Sequence, residues 1–256
     1  MGAPGVGCHR NGKDLYCRMK ILVLETTGPM ASVALIDQNR NVRERMNDTR
    51  YSHLEELVPM IQALMAEGET CPEDITAIAV SRGPGSFTGV RIGMATAKAL
   101  AQIWEKPIVE VPTLAAFAFH AGIAPGTLVV PVLDARRDQV YGAAYRKTEA
   151  CQISEVIEEK AWDLKEFLEL LAGRQQEEET VLFCGDGVQV YGDMLEQYPK
   201  PFLYSGTEEA VQRAAAVAQL ALNLYQEGAV TDAFHAGPVY LRQAEAERKL
   251  QEKCAK

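Results

Sequence analysis

The sequence predicts an α/β fold made of two similar lobes, and two observations carry that prediction. Its 256 residues suffice for two lobes of roughly 100 to 120 residues, each with an apolar core. Both halves of the chain also repeat one order of patterns: strand, acidic residue and turn, two strands, helix, strand, glycine loop and helix. A repeated order of this kind indicates a duplicated unit with a cleft between the copies.

The strands are predicted from short β-branched or alternating apolar runs that lie between turn residues. Glu25 follows the first strand of the first half, and Asp134 follows the first strand of the second half. The glycine loops at 83–85 and 185–187 correspond in the same way. The predicted strands cover residues 21–24, 31–36, 41–46, 75–80 and 108–111, then 127–133, 139–146, 152–156 and 181–184.

The helices are predicted from apolar residues that recur at helical spacing. Ser52 and Glu55 are spaced as a capping box at the start of the first helix, and Pro59 should bend or interrupt it. Asp163 is placed to cap a leucine-rich helix. Further helices are predicted at residues 88–103, 114–120 and 208–225, and after the second glycine loop.

The segment at 81–103 organises the chain, because a glycine loop and a long helix follow directly on a buried strand there. Small residues recur every four positions along this helix and leave one face without side-chain bulk: Gly89, Gly93, Ala97 and Ala101. Either the helix lies in the core of its own lobe, or another chain covers part of it. The loop lacks both the G-x-G-x-x-G pattern of dinucleotide sites and the Lys-Ser/Thr pair of triphosphate loops.

Composition and charge exclude several classes of protein. Hydrophobic residues make up 47% and charged residues 24% of the chain, a balance that excludes a largely disordered protein. The formal net charge of -9 opposes direct binding to nucleic acid. No apolar run approaches the roughly 20 residues that cross a bilayer. The six cysteines form no C-x-x-C pair, so we expect neither a zinc site nor a disulfide framework, and we expect a cytoplasmic location.

The chain changes character at Met19. Residues 1–18 show no periodicity, whereas an apolar strand begins directly after Met19. We therefore expect residues 1–18 to form a disordered extension and Met19 to be the functional start. The first lobe is predicted at residues 19–119, with residues 232–256 packing back onto it, and the second lobe at residues 120–231.

Five segments closely resemble the TsaB (YeaZ) family. They read MKILVLETTGPMASVALID, SHLEELVPMI, SRGPGSFTGVRIGMATAKALA, PVLDARRDQVYGAAY and PVYLR, and together they extend from residue 19 to residue 242. The resemblance implies an actin-like ATPase fold with two duplicated lobes, of the kind found in Hsp70 and sugar kinases. It also implies a non-catalytic scaffold and dimerisation partner of TsaD, required for threonylcarbamoyl transfer to adenosine 37 of tRNAs.

The same resemblance implies the partners and cofactors. A TsaE-like ATPase joins the pair with TsaD, and the chain alone forms a homodimer through the helices that otherwise bind TsaD. Contacts with tRNA are indirect, through the complex, and no membrane is involved. No intrinsic cofactor is expected, and weak binding of ATP or ADP at the partner interface is left as an open alternative.

The resemblance and the apolar stripes together place the partner interface on two helices. Burial of apolar side chains against a partner helix would stabilise the pair, and the small residues of the second helix would allow a close approach. The alternative is that the same stripes face the chain's own sheet. The candidate interface residues are Leu54, Leu57, Val58, Ile61, Leu64, Met65, Gly89, Ile92, Gly93, Thr96 and Ala97.

The residue types themselves favour a non-catalytic role. Proteins like TsaD hold a metal through two histidines one helical turn apart, whereas the matching positions here are Thr113 and Phe117. His120 lies nearby but without a second histidine, and we expect it to be structural. The missing ligand pair disfavours a metallopeptidase, and no catalytic or metal-binding residue is predicted.

A nucleotide cleft between the lobes is the remaining enzymatic hypothesis, that of an actin-like ATPase or small-molecule kinase acting on its own. Relatives more often carry Asp where this chain has Glu25, and one extra methylene would disturb magnesium coordination at roughly 2.1 Å. The alternative is that these residues only stabilise turns through hydrogen bonds. The candidate cleft residues are Glu25, Thr26, Thr27, Asp134, Arg136, Arg137, Gly185 and Gly187.

Overall fold

The computed structural model describes residues 19–47, 53–136, 139–149, 151–206 and 211–242. Within these ranges the chain forms two five-stranded sheets flanked by helices. The first sheet contains β1 (Lys20–Glu25), β2 (Ser32–Asp37), β3 (Val42–Met46), β4 (Ile75–Ser81) and β5 (Ile108–Val111). The second contains β6 (Leu128–Asp134), β7 (Gln139–Glu149), β8 (Gln152–Asp163), β9 (Val181–Cys184) and β10 (Phe202–Tyr204).

The two sheets have the same topology. The strand order is β3-β2-β1-β4-β5 in the first, and β8-β7-β6-β9-β10 in the second when it is read from the matching edge. In each sheet the first three strands are antiparallel neighbours, and the last two join in parallel. This arrangement confirms the predicted α/β fold with two duplicated lobes. The strand β10 has only three residues, which is too short for an apolar pattern to predict it.

The helices follow the predicted order, with differences in detail. Pro59 does not interrupt α1, whereas the predicted helix at 114–120 becomes α3 and a short 3-10 helix, Phe117–Phe119. Asp163 caps α4 as predicted, since its Oδ1 accepts hydrogen bonds from the backbone N–H groups of Lys165 and Glu166. Ser52 lies outside the described residues. The helices are α1 (His53–Glu67), α2 (Phe87–Trp104), α3 (Thr113–Ala116), α4 (Leu164–Arg174), α5 (Gly187–Leu195) and α6 (Ala214–Gln226).

The first sheet is buried on both faces, which explains the continuous apolar sequence of β1. Alternate residues of a strand point to opposite faces of its sheet. Leu22 and Leu24 therefore pack with α1 and α2, whereas Ile21 and Val23 pack with α6. A strand that is covered on both sides needs apolar residues at every position.

A single apolar core joins the two lobes. It combines residues of the first sheet, such as Val23 and Val109, with residues of the second sheet, such as Val129 and Ala143. The helix α6 lies in this core and contacts β1, β2 and β5 of the first sheet, although its residues fall within the predicted second lobe at residues 120–231. Seven of its residues are buried, and an alanine-rich helix that is buried on most sides shows no distinct stripe to indicate its neighbours: Ala214, Ala216, Val217, Ala218, Leu220, Ala221 and Leu222.

The chain after α6 returns along the first lobe. We call residues 229–242 the C-terminal strap. Thr231 pairs with Ile108 at the edge of the first sheet through two backbone hydrogen bonds of 2.8 and 2.9 Å. Farther on, the N–H of Val239 donates to the carbonyl of Arg82 at 2.8 Å. The strap therefore fixes the chain's last described residues beside α2.

Three further expectations concern residues 1–18, the cysteines and membrane-spanning helices. The predicted disorder of residues 1–18 lies outside the described residues. Cys71 is disulfide-bonded, a bond that its spacing from the other cysteines does not predict. Cys151 is a free thiol. No helix in the described ranges combines the length and apolar character that a membrane span requires.

The small-residue face of α2 is covered by the chain's own turn after β1. A Cβ atom placed on Gly93 would overlap Thr26 Oγ1, and one placed on Gly85 would lie 2.6 Å from Thr27 Cβ. The hydroxyl of Thr26 donates to the carbonyl of Gly89 at 2.8 Å and holds the turn against the helix. The close approach that the glycines permit is therefore made within the lobe. The prediction that a partner helix uses this face was wrong.

We predict that Gly93→Ala destabilises the fold. Relief of the overlap with Thr26 would push the turn away from α2 and break the hydrogen bond from Thr26 to Gly89. The expected loss in the free energy of unfolding is about 1–3 kcal/mol, measured by urea denaturation.

Gly173→Ala is the matched control for that substitution. Gly173 lies in α4, and a Cβ atom there would meet no heavy atom within 4 Å. The same chemical change should therefore stabilise the protein by about 0.5–1 kcal/mol through helix propensity. Similar effects from the two substitutions would contradict the packing that we describe for α2.

Candidate functional site

The acidic residue at the end of β1, Glu25, accepts hydrogen bonds from residues of its own lobe. Glu25 has no exposed surface. Its Oε1 accepts hydrogen bonds from the backbone N–H and the hydroxyl of Thr27, both at 2.5 Å, and the hydroxyl of Ser81 donates to its Oε2. The carboxylate thus joins the ends of β1 and β4. It is oriented toward its own turn and strand.

The turn after β1 is packed tightly against the glycine loop. The N–H of Ser86 donates to the carbonyl of Thr27 at 2.8 Å. Thr26 and Thr27 are both buried, and Gly85 contacts Thr27 where any larger residue would overlap it. In this lobe, the chain's own residues therefore fill the space between the turn after β1 and the glycine loop.

The acidic residue at the end of β6 has a similar structural role in the second lobe. Asp134 Oδ1 accepts hydrogen bonds from the N–H of Arg136 and from the hydroxyl of Tyr191, both at 2.7 Å. The N–H of Asp134 donates to Asp186 Oδ1 at 3.0 Å. Although Asp186 as a residue is exposed, desolvation of its carboxyl group and the nearby Asp134 carboxylate raise its pKa above the usual value.

The second glycine loop is required for packing against β6. Gly185 has a φ of +94°, and Cβ atoms on Gly185 and Gly187 would lie 2.5 and 2.7 Å from the carbonyl oxygen of Val132. Arg136 is exposed, and Arg137 lies outside the described residues. The described candidate cleft residues therefore lie in three segments, the turn after β1, the turn after β6 and the loop after β9, and hydrogen bonds within the chain hold each of the two turns.

An ion pair joins the lobes beside this cleft. Arg82 Nη2 lies 3.6 Å from Glu159 Oε1, which is an ion pair without a well-formed hydrogen bond. Burial raises the pKa of the Glu159 carboxyl group, and the Arg82 guanidinium partly offsets that rise. Together with the shared apolar core, the pair fixes one lobe against the other.

The positions that match metal ligands in proteins like TsaD are part of the core. Thr113 is fully buried, and Phe117 has 1% of its surface exposed. His120 Nε2 lies 2.9 Å from Gln212 Oε1, and its ring stacks on Phe117 with centroids 5.5 Å apart, so it has structural contacts. Across the described part of the chain, no three His, Cys, Asp or Glu side chains are grouped to hold a metal ion.

The stripe on α1 is divided between the chain's own sheet and the solvent. Leu57, Ile61, Leu64 and Met65 are at most 8% exposed and pack on the first sheet. Their side chains form part of the lobe's core, so the prediction that they bury against a partner was wrong for this conformation of the chain. Leu54 and Val58 belong to the same helix but are 77% and 47% exposed. Because they lie one turn apart, they form an apolar strip on the outer side of α1.

The same division holds for α2. Gly89, Gly93 and Ala97 are buried, whereas Ile92 and Thr96 are partly exposed. Sequence reasoning missed a second stripe on the outer side of this helix, whose spacing of three or four residues could have revealed it. We call eight uncharged residues that are exposed or partly exposed on these two helices the α1–α2 face: Leu54, Val58, Thr88, Ile92, Ala95, Thr96, Ala99 and Ile103.

The α1–α2 face is mostly apolar. Its side chains are aliphatic, apart from two threonine hydroxyls, and Ile103 is 75% exposed. Small residues at Ala95 and Ala99 leave the backbone of α2 accessible between larger side chains. Contiguous exposed apolar surface on a folded protein commonly marks an interaction site.

Comparison with known proteins agrees with the fold and adds the family. The family model described as TsaD, tRNA N6-adenosine threonylcarbamoyltransferase, matches residues 47–253. The chain is 32% identical over 231 residues to the tRNA threonylcarbamoyladenosine biosynthesis protein TsaB of Bacillus subtilis, covering 90% of this chain and 97% of that protein. It is 32% identical over 243 residues to TsaB of Escherichia coli, covering 91% and 98%.

A solved structure is similar over nearly the same length. YeaZ from Pseudomonas aeruginosa superposes with a TM-score of 0.74 and 27% identity, over 87% of this chain and all of that one. The predicted resemblance is thereby confirmed at the level of sequence and fold. Because the family model covers most of the chain and two TsaB proteins match it almost end to end, the chain belongs to the TsaB (YeaZ) family.

Proposed function

We propose that this chain acts in tRNA threonylcarbamoyladenosine biosynthesis as a non-catalytic subunit that binds a TsaD-like enzyme through the α1–α2 face. Support for the pathway comes from the relatives, which are described as tRNA threonylcarbamoyladenosine biosynthesis proteins. The non-catalytic role rests on one observation above all. Glu25, the carboxylate best placed for nucleotide chemistry, is buried and engaged by Thr27 and Ser81.

A magnesium nucleotide would have to displace that hydrogen-bonded arrangement. Magnesium requires near-octahedral oxygen ligands at roughly 2.1 Å, and a carboxylate that already accepts three hydrogen bonds is poorly available to it. The phosphate groups would also have to separate the turn after β1 from Gly85. The free energy needed to break these contacts argues against nucleotide turnover by the isolated chain.

The energy available for partner binding lies in the exposed residues of the α1–α2 face. Leu54 and Ile103 expose 77% and 75% of their surface, so each has most of its apolar area left to bury. Full burial of such a side chain contributes about 1.5–3 kcal/mol. Part of that gain is offset by the loss of rigid-body and side-chain freedom on association.

The same face accounts for a homodimer when the enzyme is absent. An isologous pair places one apolar patch against its own copy, and burial of Leu54, Val58 and Ile103 would favour that pairing. The homodimer and the complex with the enzyme would then be mutually exclusive. A TsaE-like ATPase would join the complex at another surface. Because this chain has a net charge of -9, tRNA would be bound by other subunits of the complex.

Leu54→Asp and Val58→Asp should weaken binding to a TsaD-like protein at least tenfold, about 1.4 kcal/mol. A carboxylate in the centre of an apolar interface would lose its hydration without gaining a partner. Both residues are exposed, so the free energy of unfolding of the isolated chain should change by less than about 0.5 kcal/mol. Binding is measured by isothermal titration calorimetry, and homodimer dissociation by sedimentation equilibrium.

Leu203→Asp provides the matched control for these variants. Leu203 is 58% exposed on β10 in the other lobe, so the same change should leave binding intact. Wild-type affinity in Leu54→Asp and Val58→Asp would show that the interface lies elsewhere. Equal loss in all three would indicate a general effect of charge.

The isolated chain should release no phosphate from MgATP above background in a steady-state assay. Glu25→Ala should instead act on stability, because it removes the acceptor of three buried hydrogen bonds. We expect the free energy of unfolding to fall by about 1–3 kcal/mol. Glu169→Ala, at an exposed position in the middle of α4, should have almost no effect on it. Wild-type turnover that disappears in a well-folded Glu25→Ala protein would favour the independent ATPase.

A further inference from the structure

Three side chains at the start of α2 form an ordered cluster on the protein surface: Phe87, Arg91 and Tyr240. The guanidinium carbon of Arg91 lies 3.7 Å from the centroid of the Phe87 ring. The Nε of Arg91 donates to the hydroxyl of Tyr240 at 2.9 Å, and the two aromatic rings are 5.0 Å apart. Phe87 is 38% and Tyr240 is 42% exposed. We call this group the Arg91 cluster.

The C-terminal strap holds Tyr240 in this position. Lys98 Nζ donates to the carbonyl of Ala236, and the N–H of Val239 donates to the carbonyl of Arg82, each at 2.8 Å. Beyond Tyr240, the guanidinium of Arg242 donates to the carbonyl of Ala135 in the second lobe. Tyr240 is thus fixed on both sides, and its contact with Arg91 costs little further conformational freedom on binding.

The Arg91 cluster does not use the Nη groups of Arg91, which are strong hydrogen-bond donors. Among the described residues, Arg91 makes its hydrogen bond through Nε, and its two Nη groups make none. The guanidinium is exposed and is held in one orientation by the ring beneath it and the hydroxyl beside it. An immobilised guanidinium presents a planar pair of N–H groups that match the two oxygens of a carboxylate.

The cluster adjoins the α1–α2 face. Arg91 is three residues after Thr88 and four before Ala95, and residues at these spacings are neighbours on a helix surface. Arginine and aromatic residues are also the types that contribute most often to binding energy at interfaces. Among mostly aliphatic neighbours, Arg91 therefore provides the polar contact that can fix the orientation of a partner.

We propose that the Arg91 cluster is the orienting anchor of the partner surface and that its guanidinium receives an Asp or Glu carboxylate of the protein that binds the α1–α2 face. This inference rests on the proposed function, since it requires that partner. The C-terminal strap then has a role in binding, because it supplies Tyr240 to a surface otherwise formed by two helices of the first lobe.

A protein carboxylate fits the cluster better than a nucleic-acid phosphate does. The chain has a net charge of -9, which disfavours the approach of a polyanion. A base would have to stack on the ring of Phe87 or Tyr240. Both rings are partly covered, since Arg91 lies over the Phe87 ring and the Tyr240 ring lies beside that of Phe87. One carboxylate on a largely apolar protein surface requires only the guanidinium and the neighbouring apolar side chains.

The test measures the affinity of the full-length chain for a TsaD-like protein from the same genome by calorimetry. We expect Arg91→Glu to weaken binding by about tenfold to a hundredfold, and Arg91→Lys by less because charge is kept while the planar pair of donors is lost. Tyr240→Phe, which keeps the ring and loses the hydroxyl, should weaken binding by a few-fold. Arg174→Glu is the charge-matched control, because Arg174 is exposed at the end of α4 in the other lobe.

A charge-reversal rescue makes the test specific. An Asp→Lys or Glu→Lys variant of the partner that restores the binding of Arg91→Glu would support the proposal and identify the carboxylate. Wild-type affinity in Arg91→Glu, or equal loss in Arg174→Glu, would overturn it while leaving the proposed function intact. Loss of tRNA retention with an undisturbed protein complex would also overturn it, in favour of a phosphate contact.

Two further measurements separate a folding defect and a failure of the proposed function from these outcomes. Thermal unfolding of each variant should match the wild type within about 2–4 °C, the shift expected for small changes in stability at this size. If the wild-type chain forms no complex with the TsaD-like protein, the proposed function and this inference both fail. Variants of the α1–α2 face that lose binding while Arg91→Glu keeps it would refute only the anchor.

Discussion

The close contact between α2 and the turn after β1 determines much of this structure. Thr26 hydrogen-bonds to α2 at Gly89 and lies where only a glycine at position 93 leaves room, while Thr27 packs on Gly85. Glu25 then joins this turn to the end of β4. These contacts place α2 firmly on the first sheet. The same contacts close the turn after β1 against the glycine loop, so the fixed position of the helix and the closed turn have one cause.

The second constraint is the apolar core that the lobes share. Since α6 belongs to one apolar cluster that contains residues of both sheets, separation of the lobes would expose apolar side chains of this cluster to water. Arg82 and Glu159 add an ion pair across the same junction. Enzymes of two-lobed folds commonly use domain closure to complete a site. Here the interior already joins the lobes, which suits a subunit that presents a fixed surface.

Sequence patterns predicted the duplicated topology because every strand except β10 is marked by a short apolar or alternating run, because most helices carry a clear period, and because Glu25 and Asp134 end matching strands. They failed for α6, whose alanine-rich surface has no single apolar face to indicate its position. They also failed to show which apolar residues of α1 are buried and which are exposed. Leu57 is buried and Leu54 is exposed because of where the neighbouring strands lie, and the sequence pattern does not give that position. Likewise, glycines spaced along α2 indicate that some backbone comes close. Whether that backbone belongs to the same chain or to another depends on tertiary structure.

The division of α1 and α2 into buried and exposed halves explains how one pair of helices can serve both the fold and a partner. The buried half, which includes Leu57 and Gly93, fixes each helix on the sheet. The exposed half, which includes Leu54 and Ile103, is held in place because the buried half of each helix packs on the first sheet. A surface that is rigid before binding loses little conformational entropy on association. The contacts that hold Glu25 and Thr26 in the turn after β1 therefore also fix the helix that carries part of the exposed apolar surface, and the proposed binding role relies on this rigidity.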